Sequence, residues 1–359
     1  MRSRIVAILA TFALAFGLGV TGPAEAADPR GKLVGYSDAA DGAIVPIYEY
    51  TPPKLTNAEK AKFGKVTKGV KRFKAAPPAP HAQASKRVSG PPWYHWAGGR
   101  QNVTADGIFA NCNVPASTDP YLRPTGVPSA GVQGDVHSLC QLAVIENDFV
   151  SNRDIGEIGW VKSIDPAICP TGSRCLFGSH WVNGVHGGWN SSFTDNAANP
   201  VNLGKVLSAT CAGGNTRFGV QYFNADWWLW FDECSTDATP GDWLGFYAGS
   251  LWSGSGGYTV AGTVSGFGEV ASNNDSNPCS DMGNGDTPTA TGTASRVGTV
   301  QLINAAAATN LTMWSNSNGH GSVPQAYTAV ASNTPTTTYR FGGPGYTATN
   351  ALPGVNGGC

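Results

Sequence analysis

Charge is scarce in this 359-residue chain: only 13% of its residues are Asp, Glu, Lys or Arg, against about 25% in ordinary soluble domains. So thin a charge density excludes a nucleic-acid binder, a long solvated coiled coil and a charged disordered tail. With three Met in all and few Glu, it also has little of what surface helices use. After Val20 no apolar run approaches 18 residues, so no membrane span is expected in the mature chain. The usual catalytic signatures are missing too. There is no Gly-x-Ser-x-Gly elbow, no His-Glu-x-x-His, no phosphate loop ending in Gly-Lys, and no Cys-x-x-Cys. The six histidines are scattered. His180 and His186 do not have the spacing of a ligand cluster, and each His reads as a surface or hydrogen-bonded residue. No metal and no cofactor is implied.

What is present begins with an export signal. Arg2 and Arg4 precede the apolar run Ile5 to Val20, and Ala24-Glu25-Ala26 follows. That pattern of positive head, short apolar stretch and small-residue site predicts a secretory signal peptide over residues 1–26 and an extracellular protein. All eight cysteines lie beyond it. An even number in an exported chain reads as four disulfides, which leaves no thiol nucleophile. The short Cys169–Cys175 loop is the pair expected from sequence.

The formal net charge of −1 hides a division. Residues 1–100 carry 15 Lys and Arg against 6 Asp and Glu, and residues 101–359 carry 8 against 18. Between Lys54 and Arg87 ten basic residues face only Glu59. Asn57–Lys74 reads as a basic helix that breaks into the Pro-rich linker Ala75 to Pro80. Residues 27–88 are therefore expected to be a basic propeptide, bound to the acidic domain at neutral pH and released as carboxylates protonate. A solvated basic arm for some other anionic partner is the blander alternative.

From residue 89 to 359 short apolar or alternating runs are separated by Gly, Asn, Asp, Pro and Ser clusters. Arg217–Phe223 alternates, with Phe218, Val220 and Tyr222 on one face. A turn at Asn224-Ala225-Asp226 leads to the buried run Trp227–Phe231. Ile155–Ile164, Tyr258–Ala271 and Ser295–Ile303 are further strands. Such a pattern predicts an all-β fold, an antiparallel β-sandwich of two packed sheets. Beyond Asn304 the chain reads as loop-dominated.

With other chemistries excluded, carboxylates remain. Past residue 100 the only glutamates are Glu146, Glu157, Glu233 and Glu269. Strand alternation places Glu157 on a face with Ile155, Gly159 and Val161, and Glu269 on a face with Phe267 and Ala271. Apolar neighbours desolvate a carboxyl and raise its pKa toward the range of a general acid. The glycine before each, Gly156 and Gly268, is expected to let a substrate backbone approach. Alternatively, Ile158, Trp160 and Val270 face the core and both glutamates simply point to water.

These residues also resemble a known family. Gly156-Glu157-Ile158-Gly159-Trp160, Asp226-Trp227-Trp228-Leu229-Trp230, Gly241-Asp242-Trp243-Leu244, Gly268-Glu269-Val270, Asp281-Met282-Gly283-Asn284-Gly285 and Ala294-Ser295-Arg296 occur in the order found in the neprosin family of secreted glutamic peptidases. His95-Trp96-Ala97 resembles the family's His-x-Ala. The resemblance runs from about Trp93 to Asn304. It departs at Phe267, which replaces a glycine, at Asn284, and at a turn that has lost its Pro; these changes bear on substrate preference, including preference for Pro. What the resemblance implies is a β-sandwich with Glu157 and Glu269 meeting across a groove, a water between them and the propeptide over it. One carboxylate takes a proton from water while its protonated partner polarises the scissile carbonyl. Glu157 is expected to be the base and Glu269 the acid. Trp160, Trp181, Trp228 and Trp230 are expected to line a groove for apolar or Pro-containing peptides, unless they pack the core.

The function expected is thus a secreted, acid-active, metal-independent endopeptidase made as a zymogen. Its partners are a peptide or protein substrate and its own propeptide as inhibitor, with no nucleic acid and no membrane, and the mature form is expected to be a monomer. Two other classes fit the same residues. A β-sandwich glycoside hydrolase also uses paired carboxylates, separated by roughly 5–9.5 Å, beside aromatic side chains. A non-catalytic carbohydrate-binding module needs only the tryptophans.

Overall fold

In the computed structural model the described residues are 32–38, 44–49, 52–60, 66–70, 93–114, 120–122, 137–146, 153–208, 216–234, 241–272, 280–289, 294–317 and 327–343. The expected signal peptide and the Pro-rich linker lie outside them. Seven strands form one antiparallel sheet, in the order β16 (Thr312–Ser317), β4 (Trp93–Ala105), β14 (Ala261–Ser272), β6 (His137–Ile145), β7 (Ile155–Ser163), β8 (Cys175–Val182) and β9 (Val185–His186). The second sheet has nine. It begins with β17 (Thr328–Ala331), β18 (Tyr339–Gly342), β15 (Arg296–Ile303) and β5 (Gly107–Cys112). It continues through β11 (Arg217–Phe223), β12 (Asp226–Asp232), β13 (Asp242–Ala248), β10 (Trp189–Asp195) and β3 (Val66–Val70). A hairpin of β1 (Lys32–Asp38) and β2 (Ile44–Glu49) pairs separately.

The two large sheets pack face to face as a β-sandwich. Alternation decides which side chains fill the space between them. From the seven-stranded sheet come Cys140, Leu142, Val144, Ile158, Trp160, Val264 and Val270; from the other come Phe218, Val220, Trp227, Leu229 and Phe231. Each large apolar side chain so buried contributes about 1.5–3 kcal/mol. The hairpin between β11 and β12 turns at Asn224 and Ala225, whose φ values are 50° and 67°, as a two-residue turn matched to strand twist requires. Cys112–Cys140 joins β5 to β6, and so one sheet to the other, across 28 residues. The expected Cys169–Cys175 disulfide is present.

One expectation needs correcting. The basic helix over Asn57–Lys74 is a single turn, Asn57–Lys60. Its N-terminus is a capping box in which Thr56 N donates to Glu59 Oε2 at 2.7 Å. Val66–Val70 is instead an edge strand, because its β-branched residues suit a ladder and the free edge of β10 offers one. Within the loop-dominated region past Asn304, β16 extends the edge of the seven-stranded sheet, while β17 and β18 extend the other.

The basic segment is anchored on the nine-stranded sheet. Lys60 pairs with Asp226 and donates to the Asn224 carbonyl at 2.7 Å, and Asn224 Nδ2 donates to the Leu55 carbonyl at 2.8 Å. Leu55 packs against Phe109, Trp228, Trp230, Trp243 and Phe246 on the outer face of that sheet.

Candidate active site

Glu157 on β7 and Glu269 on β14 are carried by the two strands that flank β6. Glu157 pairs across the ladder with Ala143, and Glu269 with Leu139. Gln141 lies midway between those two positions and on the same face, since alternate residues share a side. Glu157, Gln141 and Glu269 therefore form a diagonal across three strands. Neighbouring strands are about 4.8 Å apart, which sets β7 and β14 about 10 Å apart. The face is the outer one, turned away from the inter-sheet core. It is nevertheless covered, and Glu157 and Glu269 are only 3% and 7% exposed. Tyr94, Trp96, Trp181, Phe267 and Trp314 form an apolar cluster on this face, and Leu139, Val161, Phe177 and Trp189 form another.

Each carboxylate is held by an indole and by a second nitrogen. Trp181 Nε1 donates to Glu157 Oε2 at 3.0 Å, and Gln141 Nε2 donates to Oε1 at 2.9 Å. Ser179 stands directly across the ladder on β8, and its hydroxyl also favours the charged carboxyl. Burial pushes the Glu157 pKa up to about 7; the nearby Glu269 charge adds to the rise, and the hydrogen bonds oppose it. Glu269 receives the Trp96 indole N–H on Oε2. On Oε1 it meets His137 Nε2 at 2.8 Å, a contact that becomes an ion pair when the ring is protonated.

Of the four tryptophans expected at the site, the structure brings only Trp181 to a carboxylate. Trp160 is three residues from Glu157, an odd spacing, so it points into the inter-sheet core and donates to the Asn113 carbonyl at 3.1 Å. Trp228 and Trp230 belong to the aromatic cluster on the outer face of the other sheet. The glycines before the glutamates also face the core. A Cβ at Gly268 would lie 2.4 Å from the Phe341 ring and 2.8 Å from Met282 Cγ, and one at Gly156 would meet Val144 at 3.3 Å. They permit close packing between sheets rather than the approach of a substrate.

Sequence reasoning did not assign Trp96, His137 or Gln141. Trp96 stands within His95-Trp96-Ala97. His137 and Gln141 carried a signal of their own, as polar residues at even spacing on an otherwise apolar face of their strand. Among the described residues no group of three or more His, Cys, Asp or Glu side chains could hold a metal ion.

The family model for neprosin matches residues 135–344, more than half of the chain. No curated protein gives a significant match. Among solved structures, scytalido-glutamic peptidase bound to a transition-state analogue inhibitor aligns at 10% identity with a TM-score of 0.30. The alignment covers 69% of this chain and 97% of that one.

Proposed function

We propose that this chain, which belongs to the neprosin family, is an acid-active glutamic endopeptidase in which Glu157 is the general acid and Glu269 the general base. The assignment reverses the expectation from sequence. It rests on one observation: Glu157, surrounded by neutral donors, has a pKa raised to about 7, whereas Glu269 touches an imidazole that can carry positive charge.

Below neutral pH Glu157 holds a proton. In the Michaelis complex its carboxyl donates a hydrogen bond to the scissile carbonyl. Glu269, held by Trp96 and His137, accepts a proton from the attacking water. The tetrahedral intermediate collapses as Glu157 passes its proton to the leaving amine; Glu269 then gives the water-derived proton up to solvent, and Glu157 takes one back. The apolar clusters on either side keep bulk water away, which strengthens these contacts.

Residues 27–88 act as the propeptide of a secreted zymogen. In support, β3 completes an edge of the nine-stranded sheet, and Lys60 holds the segment to Asp226. The ends of the intervening linker flank the site. Val70 pairs with Trp189, whose ring is 5.2 Å from that of His137. After the linker, Tyr94 brings its ring to 6.1 Å from His137. A linker containing Pro78, Pro80 and Pro92 is thus a natural first substrate. Among the described residues no helix is long and apolar enough to cross a membrane.

The test is to incubate the purified protein at pH 3–7 with and without a chelator, sequence the new N-terminus, and assay casein and a Pro-containing peptide. Processing between residues 78 and 92 with chelator-resistant acid activity is expected. Absence of peptide cleavage at every pH would overturn the reading, and sugar hydrolysis by the same protein would replace it.

A further inference from the structure

Glu157 must lose and regain a proton in each turnover, yet it is buried. Its three polar neighbours, two hydrogen-bonded to it and Ser179 directly across the ladder, differ in what they can pass on. The Trp181 indole and the Gln141 amide nitrogen donate but have no lone pair to accept with. The Ser179 hydroxyl both donates and accepts, and it is itself 1% exposed. Its other contact is His186 Nε2, at 2.7 Å. We propose that Ser179 and His186 form a proton relay between Glu157 and solvent. The proposal deepens the reaction above and rests on Glu157 serving in it.

Local structure puts the relay together. Asn183 and Gly184 have φ values of 51° and 73°, the two left-handed positions of a tight hairpin turn, for which Asn-Gly is the preferred pair. The turn folds β9 back on β8, so that His186 pairs with Trp181. Their rings are 4.7 Å apart, which places the imidazole beside Ser179, two residues back on the same face. Ser179 in turn lies directly opposite Glu157. Next to His186, Val185 at the turn is 68% exposed, and His186 is itself partly exposed. The chain of contacts thus leads from a wet hairpin end to a dry carboxyl.

The proton balance is simple. After Glu157 has given its proton to the leaving amine, an imidazolium at His186 transfers its Nε2 proton to Ser179 Oγ. The hydroxyl proton of Ser179 moves to the Glu157 carboxylate, and His186 is left neutral with its proton on Nδ1. Exchange with solvent restores the imidazolium. The other groups around this path are accounted for. His186 is flanked by the rings of Trp181 and Trp189. The charges acting through space are Glu269 on Glu157 and Glu157 on buried Tyr247. His137 serves Glu269. His180, at odd spacing from Ser179, turns to the opposite face, where its ring is 5.0 Å from that of Tyr247.

The experiment uses the processed enzyme with His186→Gln, His186→Ala and Ser179→Ala, assayed on a Pro-containing peptide. A loss of about tenfold to hundredfold in kcat is expected, with KM unchanged and with added imidazole restoring His186→Ala. Wild-type kcat in all three variants, while Glu157→Gln and Glu269→Gln are inactive, would overturn the relay and leave the peptidase reading intact. A readout independent of activity is titration of carbon-13-labelled Glu carboxyls by NMR. In the wild type the Glu157 signal should report a second step as His186 titrates, and that step should vanish in Ser179→Ala. Identical titration curves in the two proteins would sink the relay even if no peptide were cleaved.

Discussion

Glu157 and Glu269 are the same residue on the same face of one sheet, and their surroundings differ in a single respect that matters. Glu157 is held by an indole and an amide and faces a hydroxyl across the ladder, all neutral. Glu269 is held by an indole and an imidazole. A carboxyl among neutral donors in an apolar setting keeps its proton longer, while one beside a potential cation is supported as an anion. In the proposed reaction two equal side chains thus take opposite duties from their neighbours. The β6 strand between them supplies both the amide and the imidazole, from Gln141 and His137.

The comparison can be broken at several points. Most severe should be Glu157→Gln or Glu269→Gln, each lowering kcat by a factor of about a thousand or more, measured on casein and on conversion of the precursor. Equal activity in either variant would end the two-carboxylate account. His137→Gln, which removes the possible positive charge but not the bulk, should cost roughly tenfold or more in kcat.

Stability gives an independent handle on the difference. Between about pH 4.5 and 7 the folded protein holds the Glu157 proton that the unfolded chain has released. Folding stability therefore falls as pH rises through that window. Glu157→Gln should flatten this slope and raise stability at pH 7.5 by up to about 3 kcal/mol, read from urea unfolding at several pH values. A slope unchanged by the substitution would mean that burial of Glu157 carries no such penalty.

Trp181→Phe sharpens the same point at a smaller scale. The indole hydrogen bond favours the charged form of Glu157, so its loss should push the alkaline limb of the activity profile upward while costing a few-fold in rate. Smallest of all should be Trp230→Phe in the distant aromatic cluster. It should leave kcat/KM within about twofold and show itself, if at all, as a slightly lower melting temperature.

Much of this was legible in the sequence, for identifiable reasons. A sheet with one apolar side writes itself as period-two alternation, so β11 has the bounds expected from Arg217–Phe223, and the facing of Glu157 and Glu269 follows from the same parity. Failure came where a long-range partner decides. Val66–Val70 is a strand because β10 leaves an edge free. The environment of Glu269 depends on His137, 132 residues away in sequence. The tryptophans misled for another reason: aromatic residues pack cores as readily as they line grooves, and composition cannot distinguish the two. Parity alone already separates Trp160 from Glu157, since three residues along a strand reverse the side chain.

The most direct test of the division between the two carboxylates is the pH dependence of kcat/KM, which reports the ionisations of the free enzyme. The processed wild-type protein, assayed on a Pro-containing peptide in constant ionic strength, should show activity that falls on an alkaline limb near pH 7, where Glu157 ionises. A limb at about pH 4.5, the ordinary range of an exposed glutamate, would contradict the assignment of Glu157 as the acid.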